Sequence, residues 1–302
     1  MRVVNFQTVS ILSLTAFIAM ESAWHAPTAF CQESLGSHEN KSANTSKKYE
    51  LVWSDEFDQE GPPDPKNWTF EYGFERNEEL QWYQPENASC ENGKLVITAK
   101  RERVMNPFFV AGTKNWKKNR QHAEYTSACI TTRGLHSWTF GRIEVRARID
   151  ARKGLWPAIW TVGESGNWPD AGEIDIMEYY QGKLLANACW SSGKRWKATW
   201  DSARIPLSDF GGATWATEFH TWRMDWDEER IELFVNDSLL NTIELSQTVG
   251  KHDNLSSPFH QPHYLLLNLA IGGTNGGDPS KTEFPATFEV DYVRVYQSTF
   301  DK

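Results

Sequence analysis

Cysteine is scarce in this sequence, with four among 302 residues. One of them, Cys31, falls in the leader described below. The other three, Cys90, Cys129 and Cys189, are odd in number and show no CxxC or Cys/His spacing. That excludes a fully paired disulfide framework and argues against a zinc site. At most one disulfide joins two of them, and small buried thiols are the expected state. Positive charge is also short: 31 Lys and Arg against 40 Asp and Glu, a formal charge of -9. Such a field repels polyanions and excludes an ordinary nucleic-acid binder. No apolar run is long enough to span a bilayer, and helical periodicity is weak, the best candidate being a short turn near Leu207–Glu218. What is abundant is aromatic: 15 Trp, 9 Tyr and 16 Phe, 13% of the chain. Flat aromatic faces pack cores and also stack on sugar rings.

Residues 1–31 read as a secretory signal. Arg2 begins it, Val9–Met20 is its apolar stretch, and Ala29 and Cys31 are the small residues before a cut that leaves Gln32 first. The competing reading is an uncleaved anchor. Residues 32–48 are Ser, Asn, Lys, Glu and His with almost nothing apolar, and are expected to be a flexible polar linker. The expected location is therefore outside the cytoplasm, extracellular or periplasmic, with no membrane contact after cleavage. Residues 49–298 form one domain without repeat or second linker.

That domain is built from short alternating segments divided by Gly, Asn, Asp and Pro. KLVITAK (Lys94–Lys100), FGRIEVRARID (Phe140–Asp150), RIELFVND (Arg230–Asp237) and FEVDYVRVYQ (Phe288–Gln297) all alternate with a period near two. This is the signature of strands half buried on a core. IELFVND and SLLNTIEL are expected to form a hairpin turning at Asn236-Asp237. Many strands without helices between them predict an all-β sandwich of two antiparallel sheets.

The most informative segment is Glu173-Ile174-Asp175-Ile176-Met177-Glu178. Glu173 and Asp175, two apart, share a face of a strand, whereas Glu178 falls on the other face unless a β-bulge at Ile176-Met177 intervenes. With that bulge three carboxylates line one face. Their mutual repulsion is costly for structure and useful for chemistry, because it separates their proton affinities. Glycosidic hydrolysis needs such a pair, and a separation of about 5 Å makes the outcome retaining through a covalent intermediate. The plain alternative is a solvated acidic face. Tryptophans close by in sequence, Trp156, Trp160, Trp168, Trp190, Trp196 and Trp200, favour a cleft that stacks sugars.

With these residues in view, the chain resembles glycoside hydrolase family 16 in its laminarinase-like (endo-β-1,3-glucanase) branch. The matching segments are WSDEF (Trp53–Phe57), NEELQWY (Asn77–Tyr83), NGKLVITA (Asn92–Ala99), YTSACITT (Tyr125–Thr132), GRIEVRA (Gly141–Ala147), GLWPAIW (Gly154–Trp160), GEIDIMEY (Gly172–Tyr179), LLLNLAIGG (Leu265–Gly273) and VDYVRVYQ (Val290–Gln297). The resemblance implies a concanavalin-like β-jelly-roll with an open cleft on its concave face. It implies Glu173 as nucleophile, Asp175 as the assisting carboxylate bonded to it, and Glu178 as acid/base. It also implies Trp156 and Trp160 as stacking residues, and Asn77 and Arg133 as polar contacts. No cofactor is required, but many members bind a structural calcium, and the matching positions are Glu56, Gly93 and Asp291.

Two departures from the branch stand out. LLANACW (Leu184–Trp190) replaces a His-containing strand and is expected to put Asn187 and Trp190 on the cleft wall, and Glu78 stands where Asn is common. Trp168 and His263 are further candidate substrate contacts, His263 weighed against a structural role. Two basic clusters, Lys114–Arg120 and Lys194–Lys197, either line the cleft for an anionic polymer or are solvated surface, the second being favoured. The expected function is a secreted, monomeric, endo-acting retaining glycosidase cutting β-1,3-glucan, with mixed-linkage glucan as a second substrate and transglycosylation allowed. The alternatives are a red-algal galactan as the polymer, or a carbohydrate-binding protein without catalysis. Its partner is then a polysaccharide, and neither nucleic acid nor membrane.

Overall fold

The computed structural model describes residues 48–248 and 257–299, so the leader and nearly all of the expected linker lie outside the described residues. Two antiparallel sheets pack face to face as a β-jelly-roll. The back sheet has eight strands. Its middle is formed by Gly141–Arg148, flanked by His220–Trp226 and by the long C-terminal strand Ala286–Thr299. The first strand, Lys48–Asp55, also pairs with the last, Lys48 opposite Thr299. The cleft sheet has seven strands, with Leu155–Gly163 and Glu173–Tyr180 at its centre. On one side of that pair lies His263–Ile271, and on the other Lys183–Lys194 and then Lys197–Pro206.

Side-chain alternation explains the layering. In Gly141–Arg148, Ile143, Val145 and Ala147 point into the sandwich while Arg142, Glu144, Arg146 and Arg148 point out. The cleft sheet differs: every residue of His263–Ile271 is buried, because one face packs on the back sheet and the other is covered by bulky cleft side chains. The core between the sheets contains Ile97, Val145, Ile159, Ile174, Leu267 and Val293, all fully buried. The hairpin turns at Asn236-Asp237 as the sequence predicts, and the expected turn after Pro206 is a 3₁₀ turn, Leu207–Phe210, followed by one helical turn, Gly212–Ala216. Cys90, Cys129 and Cys189 are free and buried. Among the described residues no helix is long and apolar enough to cross a membrane.

Candidate active site

The acidic strand is entered through Gly172, whose backbone is left-handed (φ +76) and whose missing side chain would meet Pro258 at 2.9 Å. Glu173, Ile174 and Asp175 then pair in register with Cys189, Ala188 and Asn187. The register slips by one residue before Glu178, which pairs with Leu185 on one side and Ala158 on the other. The slip is a bulge at Ile176-Met177, and both of those side chains are fully buried. It returns Glu178 to the face of Glu173 and Asp175. The three carboxyls stand in one row.

Indole N–H groups hold the two ends of the row. Trp168 Nε1 donates to Glu173 at 3.1 Å, and Trp156 Nε1 donates to Glu178 at 2.8 Å. Asn187 bridges Asp175 and Glu178, donating to each at 3.1 Å. Asp175 and Glu178 are thus neighbours that share one amide donor. The hydrogen bond Asp175 makes is with Asn187, which the bulge also brings within reach of Glu178. Burial, then the Glu178 charge, pushes Glu173 up to about 8. Burial followed by its two acidic neighbours pushes Asp175 well above its usual range, and burial raises Glu178. Three charges in so dry a row are unfavourable, so its protons are bound and released as a unit.

The row lies in a cavity of about 740 Å³ lined by Trp156, Trp160, Trp168, Tyr180, Trp200 and Tyr264 among others. A smaller recess of about 60 Å³ is lined by Glu173, Asp175, Glu178 and Ala158 among others. Trp160 is anchored by donating to Asn268 at 2.7 Å, and Asn268 in turn donates to Tyr83 at 3.1 Å. The buried carboxyl of Glu79 receives Gln81 at 2.6 Å and Asn77 at 3.3 Å. Trp156, Trp160 and Trp168 thus spend their N–H groups on the protein. The most open ring surface in the cleft belongs to Trp168 and Trp200, 40% and 46% exposed.

The remaining predicted contacts divide. Asn77 lines the cleft, from a loop where Asn77 and Glu78 are both left-handed (φ 54 and 52). Arg133 is not among the residues lining the cavity: it is exposed, and its guanidinium lies over the ring of cavity-lining Tyr264 at 5.3 Å. Trp190 is packed against Phe259 in the core at 8% exposure, since it is three residues from Asn187 and a regular strand sends such a pair to opposite faces. His263 is likewise the interior neighbour of cleft-lining Tyr264. It is 1% exposed, bonded to Thr161 and to the Pro258 carbonyl, and burial lowers it to about 4. It cannot meet a substrate.

The calcium positions are not arranged as an ion cage. Glu56 is bonded to Arg294 and Asp291 to Arg146, and the described residues contain no group of three or more His, Cys, Asp or Glu side chains set to hold a metal. Only backbone oxygens and two already paired carboxylates stand there, a poor match to calcium's usual six to eight oxygen ligands. The first basic cluster packs on its own aromatics, with Arg120 over Phe74 at 3.6 Å and Lys117 paired to Glu75. The second caps the exposed tip of the Lys183–Lys194 hairpin, and no member of either cluster lines the cleft. Sequence reasoning missed Arg76, Glu71, Arg204 and Tyr264, all of them in the cleft wall.

The model of the "Glycosyl hydrolases family 16" matches residues 75–294. The chain is 38% identical over 269 residues to a beta-glucanase of Rhodothermus marinus, covering 82% of this chain and 85% of that one. The solved laminarinase from the same organism superposes with a TM-score of 0.69 at 37% identity, covering 84% of this chain and all of its own. An endo-acting O-glycanase of the human gut microbiota, described in mucin breakdown, superposes with a TM-score of 0.76 at 34% identity, covering 83% and 91%.

Proposed function

The chain belongs to the glycosyl hydrolases of family 16, and from that premise we propose that it cleaves β-1,3-glucan internally by retaining double displacement. Mixed-linkage glucan is its second substrate. The observation that carries this reading is the bulged strand, which sets Glu173 and Glu178 on one face inside an indole-lined cleft. Glu173 attacks the anomeric carbon and Glu178 protonates the departing glycosidic oxygen, giving a covalent glycosyl-enzyme. Glu178, now the base, takes a proton from the water that releases the sugar.

Protonation follows the same geometry. Attack needs the ionised form of Glu173, which the indole N–H and the Arg76 charge favour against the burial and the Glu178 charge that raise it to about 8. The proton is shared at the Asp175–Glu178 end, where Asn187 orients both carboxyls. Trp168 and Trp200 offer the most open ring faces to sugars. All three acids are present, which speaks against a binding-only protein. The leader pattern supports export.

The test uses the exported enzyme, whose N-terminal sequence should begin at Gln32, on laminarin, lichenan, agarose, porphyran and κ-carrageenan. Oligosaccharides from laminarin with the β configuration retained in the first-formed product are expected, and none from Glu173→Gln. Release from a galactan alone would replace the polymer, and unchanged release by Glu173→Gln would remove the assigned nucleophile.

A further inference from the structure

The cleft contains a guanidinium for which the reaction above has no direct contact. Arg76 donates through Nη2 to both carboxylate oxygens of Glu71, and its planar group lies over the Trp160 ring, 5.0 Å from the centroid. Although 25% of the side chain stays accessible, Nη1 itself is covered and donates to no group in the described structure. Arg76 lines both the main cavity and the smaller recess that Glu173 and Glu178 also line. A guanidinium cannot shed its charge, and a buried donor without an acceptor is unfavourable. Such a group is expected where a ligand supplies the acceptor.

We propose that Arg76 is a fixed cationic donor of this cleft: Nη1 binds a hydroxyl oxygen of the sugar held beside Glu173, and the same charge keeps the Glu173 carboxylate ready to attack. The second half rests on the reading of Glu173 as nucleophile. Glu71 pins the guanidinium in place, and Glu79, Tyr83 and Cys129 surround it more distantly. Glu173 is faced by Asp175 and Glu178 on its own strand, by the Cys189 thiol on the next, by the Trp168 N–H, and by Arg76. Arg204 acts on the Glu178 end. Among these groups Arg76 is the one cation that draws Glu173 downward, against burial and the charge of Glu178. Lysine could carry the charge without the fork that Glu71 grips.

The experiment is the pH profile of kcat/KM on a laminari-oligosaccharide for wild type, Arg76→Met, Arg76→Lys and Glu71→Gln, with Tm recorded for each. A nucleophile works in its charged form, so activity is lost as pH falls through its pKa. Removing the cation in Arg76→Met should move that acid limb to higher pH by about one unit, roughly a tenfold loss below it, with a raised KM. Glu71→Gln leaves the guanidinium unneutralised and should move the limb to lower pH. Arg76→Lys should keep the limb and raise KM. An equal loss at every pH, or shifts of the same sign in Arg76→Met and Glu71→Gln, overturns the proposal. If Arg76→Met does not fold, an unmoved limb in Glu71→Gln overturns it by itself. Trapping wild type with a 2-deoxy-2-fluoro glucoside separates the two levels of the argument. Label on Glu173 with unmoved limbs removes the role of Arg76 alone, whereas label elsewhere removes the nucleophile and this proposal with it.

Discussion

The two sheets treat carboxylates in opposite ways. On the outer face of the back sheet each acid of the charge ladder has a cation: Asp225 meets Arg142 at 2.6 Å, Asp291 meets Arg146 at 2.6 Å, and Glu289 is shared by Arg148 and Lys94. On the cleft sheet Glu173, Asp175 and Glu178 stand in a row, and among the described residues no ion pair reaches any of them. Both rows are written by the same alternation of strand side chains. The difference is whether the neighbouring strand offers an arginine or an asparagine and an indole. Neutralised acids stabilise the fold modestly, and unneutralised ones retain the proton exchange that catalysis uses.

The contrast extends to pH, with opposite signs. Burial works against the charge of Glu289, but Arg148 and Lys94 hold it below its ordinary 4.5. Its contribution is therefore present above that value and lost as pH falls further. Glu173 is raised from 4.5 to about 8. Its contribution is complete below 4.5 and lost as pH rises through 8, because the unfolded chain releases its proton first.

Glu178→Gln breaks the contrast most severely. It should lower kcat by roughly 10²–10⁴-fold, yet Tm at pH 8 should rise, since one of three crowded acids is gone. Thermal melts between pH 5 and 9 check this, and a lower Tm at pH 8 would mean that the row is not repulsive. Asp225→Asn tests the other sheet. It should cost about 1 kcal/mol, read as a Tm decrease of about 2–4 °C, with kcat unchanged. A fall in kcat would mean that the back sheet transmits to the cleft. The smallest effect is expected from EDTA, because Arg294 and Arg146 already occupy the side chains at the calcium positions. Tm should not move. A decrease reversed by calcium and not by magnesium would place an ion on the backbone oxygens of Glu56 and Gly93.

The sandwich was legible because half-exposed strands such as Gly141–Arg148 print their burial directly as alternation. The bulge was legible too, since Glu178 lies an odd number of residues from Glu173 and two apolar residues stand where the correction must occur. Trp190 is misread, and His263 is not assigned to one role, because their strands are buried on both faces. Such strands lack the polar–apolar alternation that would separate cleft from core, although parity with Asn187 and Tyr264 settles both once the sheet is known. Arg133 and Arg76 show the limit for loops. Neither belongs to a periodic segment, so nothing local reveals that one guanidinium lines the cavity while the other lies over Tyr264 outside its lining.

The pairing of Lys48 with Thr299 makes the domain a nearly closed circuit. The chain enters and leaves through neighbouring strands of the back sheet, while the substrate groove belongs to the other layer. A module fused at either end therefore attaches to the layer that does not carry the groove. The same adjacency allows a short linker to join the two ends and new ends to be cut at the Asn236-Asp237 turn. In such a permuted enzyme the order of the segments along the polypeptide changes, and the catalytic row stays where it is.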